Sequence, residues 1–186
     1  MRALAVLCLL AGTVSAEPLP PGSIGVMFGG VAGTGAYASR LGLGYYQLGG
    51  QGAWQPMSTE QRVGWSLKWS FNFGRTYDAS AARIDDVLRT IQFDLMAGVR
   101  IRPGTNPSRY VTLRAGGELF RSSQPIPPSQ TQRSFAGGVA SIGLDQYGWC
   151  LVQDKCLYNI DVRYGLIGDH GPQEIALIVG LSLVGP

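Results

Sequence analysis

The sequence predicts an all-β chain whose eight strands close into an antiparallel up-and-down barrel. Three observations carry this. Apolar residues recur at every second position in about eight segments, the side-chain period of a strand. Glycine supplies 27 of 186 residues, which disfavours helices, because each interior glycine costs a helix about 1 kcal/mol. Clusters of Gly, Pro, Asn and Asp separate the apolar segments and supply the backbone angles of turns.

Strands are expected at 23–32, 40–48, 62–74, 89–102, 109–121, 133–146, 156–167 and 173–184. The first two and the sixth are rich in glycine, and their facing is ambiguous. The third sets Trp65, Leu67, Trp69, Phe71 and Phe73 against Ser66, Lys68, Ser70 and Asn72. The fourth sets Phe93, Leu95 and Val99 against Asp94, Met96 and Arg100. The fifth opposes Val111, Leu113 and Leu119 to Thr112, Arg114 and Glu118. In the seventh, Ile160, Val162 and Tyr164 oppose Asn159, Asp161 and Arg163. The last places Ile175, Leu177, Val179, Leu181 and Leu183 on one face and Ala176, Ile178, Gly180 and Ser182 on the other.

Turns are expected at Gly33-Thr34-Gly35, Gly49-Gly50-Gln51-Gly52, 103–107, 124–130 and 168–172. Residues 80–89 form a short helical candidate, with Ile84, Val87 and Leu88 at spacings of three and four. The match of residues 33–38 to G-x-G-x-x-A lacks a following helix and a properly spaced acid, so it reads as a hairpin turn rather than a nucleotide loop.

Residues 1–16 read as a secretory signal peptide: Arg2, a short apolar core, then Val14-Ser15-Ala16 as a small-residue cleavage site. Residues 17–186 then form one barrel domain, since roughly 170 residues suit a single domain. A net charge of +3 with scattered Lys and Arg points away from nucleic acid. Cys150 and Cys156 remain after the signal; in an oxidising compartment they predict a disulfide. Two cysteines and one distant histidine do not supply four zinc ligands, and no cofactor motif is present.

Two placements compete. A soluble secreted barrel would turn its apolar face inward and bind an apolar ligand. A membrane barrel turns that face to lipid and lines its interior with polar groups. Strand length favours the membrane: a tilted crossing needs about 9–11 residues, whereas globular strands average about 5–6. Trp65, Phe73, Tyr110 and Tyr158 near strand ends suit the two interfaces. Lys68, Arg100, Arg102, Arg114 and Arg163 could pair with Asp94, Glu118 and Asp161 inside a narrow lumen. The connections, by contrast, show no clean alternation of short turns and long loops at these boundaries.

By architecture over 23–184, the chain resembles the small bacterial outer-membrane barrels, the OmpA transmembrane domain and OmpX-like families. Its last strand, IALIVGLSL, looks like the assembly signal those families present to the barrel-insertion machinery, although that signal ends in an aromatic residue and this chain ends Val184-Gly185-Pro186. The resemblance implies a monomer embedded in outer-membrane lipid with a structural, adhesive or loop-presenting role. No family site residue is matched. The expected lumen set is Lys68, Asp94, Arg100, Arg114, Glu118, Asp161 and Arg163, an ion-paired plug. His170, beside Asp169 on an expected loop, is the weak catalytic candidate of a third reading, an outer-membrane lipid hydrolase.

Overall fold

The computed structural model describes residues 21–34, 44–57, 61–76, 89–123, 133–152, 155–166 and 173–185. They form eight strands: β1 (Gly22–Thr34), β2 (Tyr45–Trp54), β3 (Val63–Thr76), β4 (Arg89–Ile101), β5 (Arg109–Ser122), β6 (Ser134–Gly148), β7 (Cys156–Leu166) and β8 (Gln173–Val184). Each pairs antiparallel with its sequence neighbours, and β1 closes on β8 with Ser23 opposite Val184 and Thr34 opposite Gln173. Closure satisfies the backbone groups that an open sheet would leave unpaired at its edges. Of the helical candidate at 80–89 only Arg89 is described, and it opens β4; the expected signal peptide and the turns at 124–130 and 168–172, the latter with Asp169 and His170, lie outside the described residues.

Strand β2 differs from expectation. It runs to Trp54, so Gly49-Gly50-Gln51-Gly52 is strand and not turn. Glycine serves close packing here. A Cβ at Gly49 would collide with the Phe71 carbonyl oxygen, and one at Gly52 would lie within the Trp69 ring. With β2 in its true register, three of the four connections at one end are longer than all three at the other. Residues 35–44, 77–88, 123–133 and the six-residue 167–172 join strands at one end, and 55–62, 102–108 and 149–155 join them at the other. The first is called the loop end below; the second, where β1 begins and β8 finishes, is the terminal end.

The apolar face points outward. In β8 exposure alternates at every residue, with Ile175, Leu177, Val179, Leu181 and Leu183 exposed and Glu174, Ala176, Ile178, Gly180 and Ser182 buried. The Gly-rich strands follow suit: Ile24, Val26 and Phe28 of β1, Tyr46 and Leu48 of β2, and Ile142 and Leu144 of β6 face out. The soluble alternative, with an apolar interior, is therefore overturned. Tyr110 also departs from expectation. It belongs to the even-numbered, inward register of β5 and is buried, so it is not an interface ring.

At the terminal end, residue 148 has no side chain and the Tyr158 ring lies across it. The Tyr158 hydroxyl donates to the Trp149 carbonyl at 2.8 Å. Cys150 and Cys156 are joined as a disulfide across this turn, with Cα atoms 5.9 Å apart. Closing so short a loop contributes about 2–3 kcal/mol in the chain-entropy account.

Candidate functional site: the polar interior

Side chains at alternate strand positions converge on the barrel axis, and in this chain they carry the charge. All seven residues of the expected lumen set face inward: Lys68, Asp94, Arg100, Arg114, Glu118, Asp161 and Arg163 are each at most 5% exposed. Two further carboxylates join them, Asp145 and Glu174. Both alternate with exposed apolar neighbours, Leu144 and Ile175, and this parity is the signal that finds them. Arg102, considered as a further lumen cation, lies just beyond β4 and is partly exposed.

The interior divides into two hydrogen-bonded groups. In one, Asp161 bonds Lys68 and accepts from Arg114 Nη1 at 3.2 Å and from Asn159 Nδ2 at 2.9 Å. Arg114 Nη2 reaches Asp145 at 3.2 Å, and its Nε donates to Ser66 at 2.8 Å. Gln55 donates to Asp145 at 3.0 Å, and Gln51 donates to Asn159 at 2.6 Å and to Ser182 at 3.0 Å. Glycine makes room for this packing: a Cβ at Gly180 would strike Gln51 Nε2 and Asn159 Oδ1, and one at Gly143 would strike Asp161 Oδ1.

The other group gathers around Arg163. Its guanidinium bonds Asp94, and its Nη2 lies 3.2 Å from Glu174. Gln92 donates to Glu174 at 2.8 Å and also bonds Glu118. The Tyr45 hydroxyl donates to Glu174 at 2.7 Å, and Ser70 donates to Asp94 at 2.6 Å. An isolated charge so deep would carry a large desolvation cost, and opposite charges with hydrogen bonds offset it.

Charge is unevenly divided. Arg163 faces three carboxylates, Asp94, Glu118 and Glu174, whereas Lys68, Arg100 and Arg114 outnumber Asp145 and Asp161. Arg100 stands apart. Its Nε is 3.9 Å from Asp145, and its guanidinium lies over the Tyr110 ring, 3.6 Å from the centroid, with Tyr147 at 4.8 Å. A desolvated cation–π contact of this kind contributes about 2 kcal/mol or more.

Apolar clusters bound the polar interior along the axis. Met27, Val31, Tyr45, Phe120, Phe135, Ala176 and Ile178 pack together toward the loop end. Tyr110, Tyr147, Leu157 and Val184, with Met57 against them, pack at the terminal end. A cavity of about 10 Å³ lies among Gln51, Gln55, Lys68, Arg114, Asn159 and Ser182, room for roughly one water. Chemically the arrangement can hold charge rigidly.

No family model matches the chain, and no curated protein sequence matches it. Solved structures do match. Neisserial surface protein A (NspA) aligns with a TM-score of 0.59 at 11% identity, over 91% of this chain and 100% of that one. Ail, the attachment invasion locus protein of Yersinia pestis, aligns with a TM-score of 0.55 at 16% identity, over 89% of this chain and 97% of that one. The outer membrane protein OprG from Pseudomonas aeruginosa aligns at 0.53 with 13% identity, over 91% and 98%. At these identities the likeness is one of fold: this chain is similar to small outer-membrane proteins built as closed eight-stranded barrels.

Proposed function

We propose that the chain is an outer-membrane barrel whose ion-paired interior is plugged, acting as a rigid scaffold that presents the connections at its loop end in a structural or adhesive role. The observation that carries this reading is the inversion of polarity. Trp65 and Tyr46 are 72% and 69% exposed, while Arg100 and Asp94 are fully buried. In water such an outward apolar band would far exceed the few hundred Å² a soluble monomer exposes; in lipid it is the stable arrangement. Trp54, Trp65 and Tyr158 form a partial aromatic girdle at the terminal end, and Tyr46, Phe28 and Phe73 one toward the loop end.

The solved structures of similar fold support the location, and the name of Ail, an attachment protein, supports an adhesive role. Bacterial barrels turn their shorter connections to the periplasm; with three of its four connections long, the loop end is the end this reading turns to the cell exterior. The reading includes removal of residues 1–16, delivery of β8 to the barrel-insertion machinery, and a monomeric barrel closed by its own β1–β8 pair.

Cell fractionation tests it. The chain is expected in the membrane fraction and to need detergent for release, and recovery in the soluble periplasm would sink the membrane reading. Planar-bilayer recording tests the plug: no steady current is expected, and a stable open-channel conductance would overturn it.

A further inference from the structure

Charge on the outer surface is segregated as sharply as in the interior. Among the described residues all five carboxylate side chains, Asp94, Glu118, Asp145, Asp161 and Glu174, lie inside the barrel. Every charged residue among them that is exposed rather than partly buried or buried is an arginine. Three of these arginines gather on the outward face at the loop end, on consecutive strands β3 to β5. Arg75 lies directly opposite Arg89. Arg121 stands one diagonal step away, since it pairs with Ser134 on one side and Ile91 on the other. Arg133 precedes β6 and stands apart from the row: its carbonyl accepts from the amide of Ser122, at 2.8 Å, whose side chain is buried on the inward face.

Like charges directly opposite across a ladder destabilise the pair. Arg75 and Arg89 are so placed, and no carboxylate among the described residues is bonded to any of the three. The row also has a fixed relation to the apolar band. On the same outward face, two residues toward the middle of each strand, lie Phe73, Ile91 and Leu119. Acyl chains against that band would bring their headgroups level with the guanidinium groups, whose paired N–H donors match phosphate oxygens. Three strands span roughly 10 Å at the interstrand spacing, wide enough for more than one phosphate.

We infer that Arg75, Arg89 and Arg121 form a binding row for a lipid headgroup bearing phosphomonoesters, in the leaflet at the loop end. This rests on the membrane reading above. The row would fix the depth and rotational setting of the barrel and relieve the repulsion between Arg75 and Arg89.

The full chain, refolded into phosphatidylcholine vesicles containing bisphosphorylated lipid A, tests this. After extraction into neutral detergent, the lipid A retained per protein is counted by mass spectrometry. Retention is expected to fall at least tenfold when Arg75, Arg89 and Arg121 are all changed to Gln, and partly in the milder pair Arg75→Gln/Arg89→Gln. It should be lower for monophosphoryl lipid A, and unchanged in Arg62→Gln/Arg109→Gln at the terminal end. Equal retention by the folded loop-end variants overturns the inference, as does equal loss in the terminal-end variant. Complete displacement by free inorganic phosphate would assign the row to a soluble anion instead. A chain that fails to enter the vesicles sinks the membrane reading and this inference together, whereas one that enters without phosphate-dependent retention overturns this inference alone.

Discussion

Asp161 shows how a single residue holds this interior. Its two oxygens bond Lys68, Arg114 and Asn159. Removing the carboxylate would leave two buried cations facing each other with one fewer anion between them. Asp161→Ala is therefore expected to lose about 3–5 kcal/mol of stability, the cost of breaking a buried pair from one side, as measured by urea unfolding in phospholipid vesicles. A loss within 1 kcal/mol would show that water enters and solvates the group. The inward position of Lys68 was legible from Leu67 and Trp69 on either side. That of Glu174 was not read, because it stands at the start of its strand beside a turn-forming cluster. Asp145 was missed because glycine in β6 blurs which face is which. The pairing of Lys68 with Asp161, 93 residues apart, was beyond any local pattern: it depends on the diameter and stagger of the closed barrel.

Among the elements, β2 is the instructive case. Gly49, Gly50 and Gly52 look like a turn when read in sequence, because glycine is the commonest turn former. In the barrel the same absence of a side chain lets Phe71, Asn72 and Trp69 of β3 close in. Local composition cannot separate these two uses of glycine, and the misplaced β2 boundary also made the first connection look short and the second long. Strand β4 was legible throughout, since Phe93, Leu95 and Val99 alternate without interruption against Asp94, Met96 and Arg100. Leu95 is 49% exposed on the outward face. If that face meets lipid near the bilayer middle, Leu95→Arg is expected to cost about 2–4 kcal/mol in vesicle-refolding titrations. A neutral effect would place Leu95 in water.

For the molecule as a whole, the central fact is that outside and inside have exchanged the polarities of a soluble protein. The alternation along each strand was visible in the sequence, but its direction was not, because apolar-in and apolar-out barrels share the same period. Closure of β1 on β8 decides it by giving the sheet an inside. A polar interior bounded by apolar clusters explains how nine charged side chains can be buried together, and an outer surface of apolar groups rimmed by arginine explains where such a barrel is stable.

The direction of β8 tests this most directly. Nitroxide labels placed one at a time at positions 175–183, in the full chain refolded into phospholipid vesicles, report access to oxygen and to a water-soluble nickel chelate. Odd-numbered positions are predicted to be accessible to oxygen and shielded from nickel, as lipid-facing sites are, with even-numbered positions shielded from both. Nickel access at Leu177 and Val179 would contradict the account, because it would put the apolar face of the barrel in water.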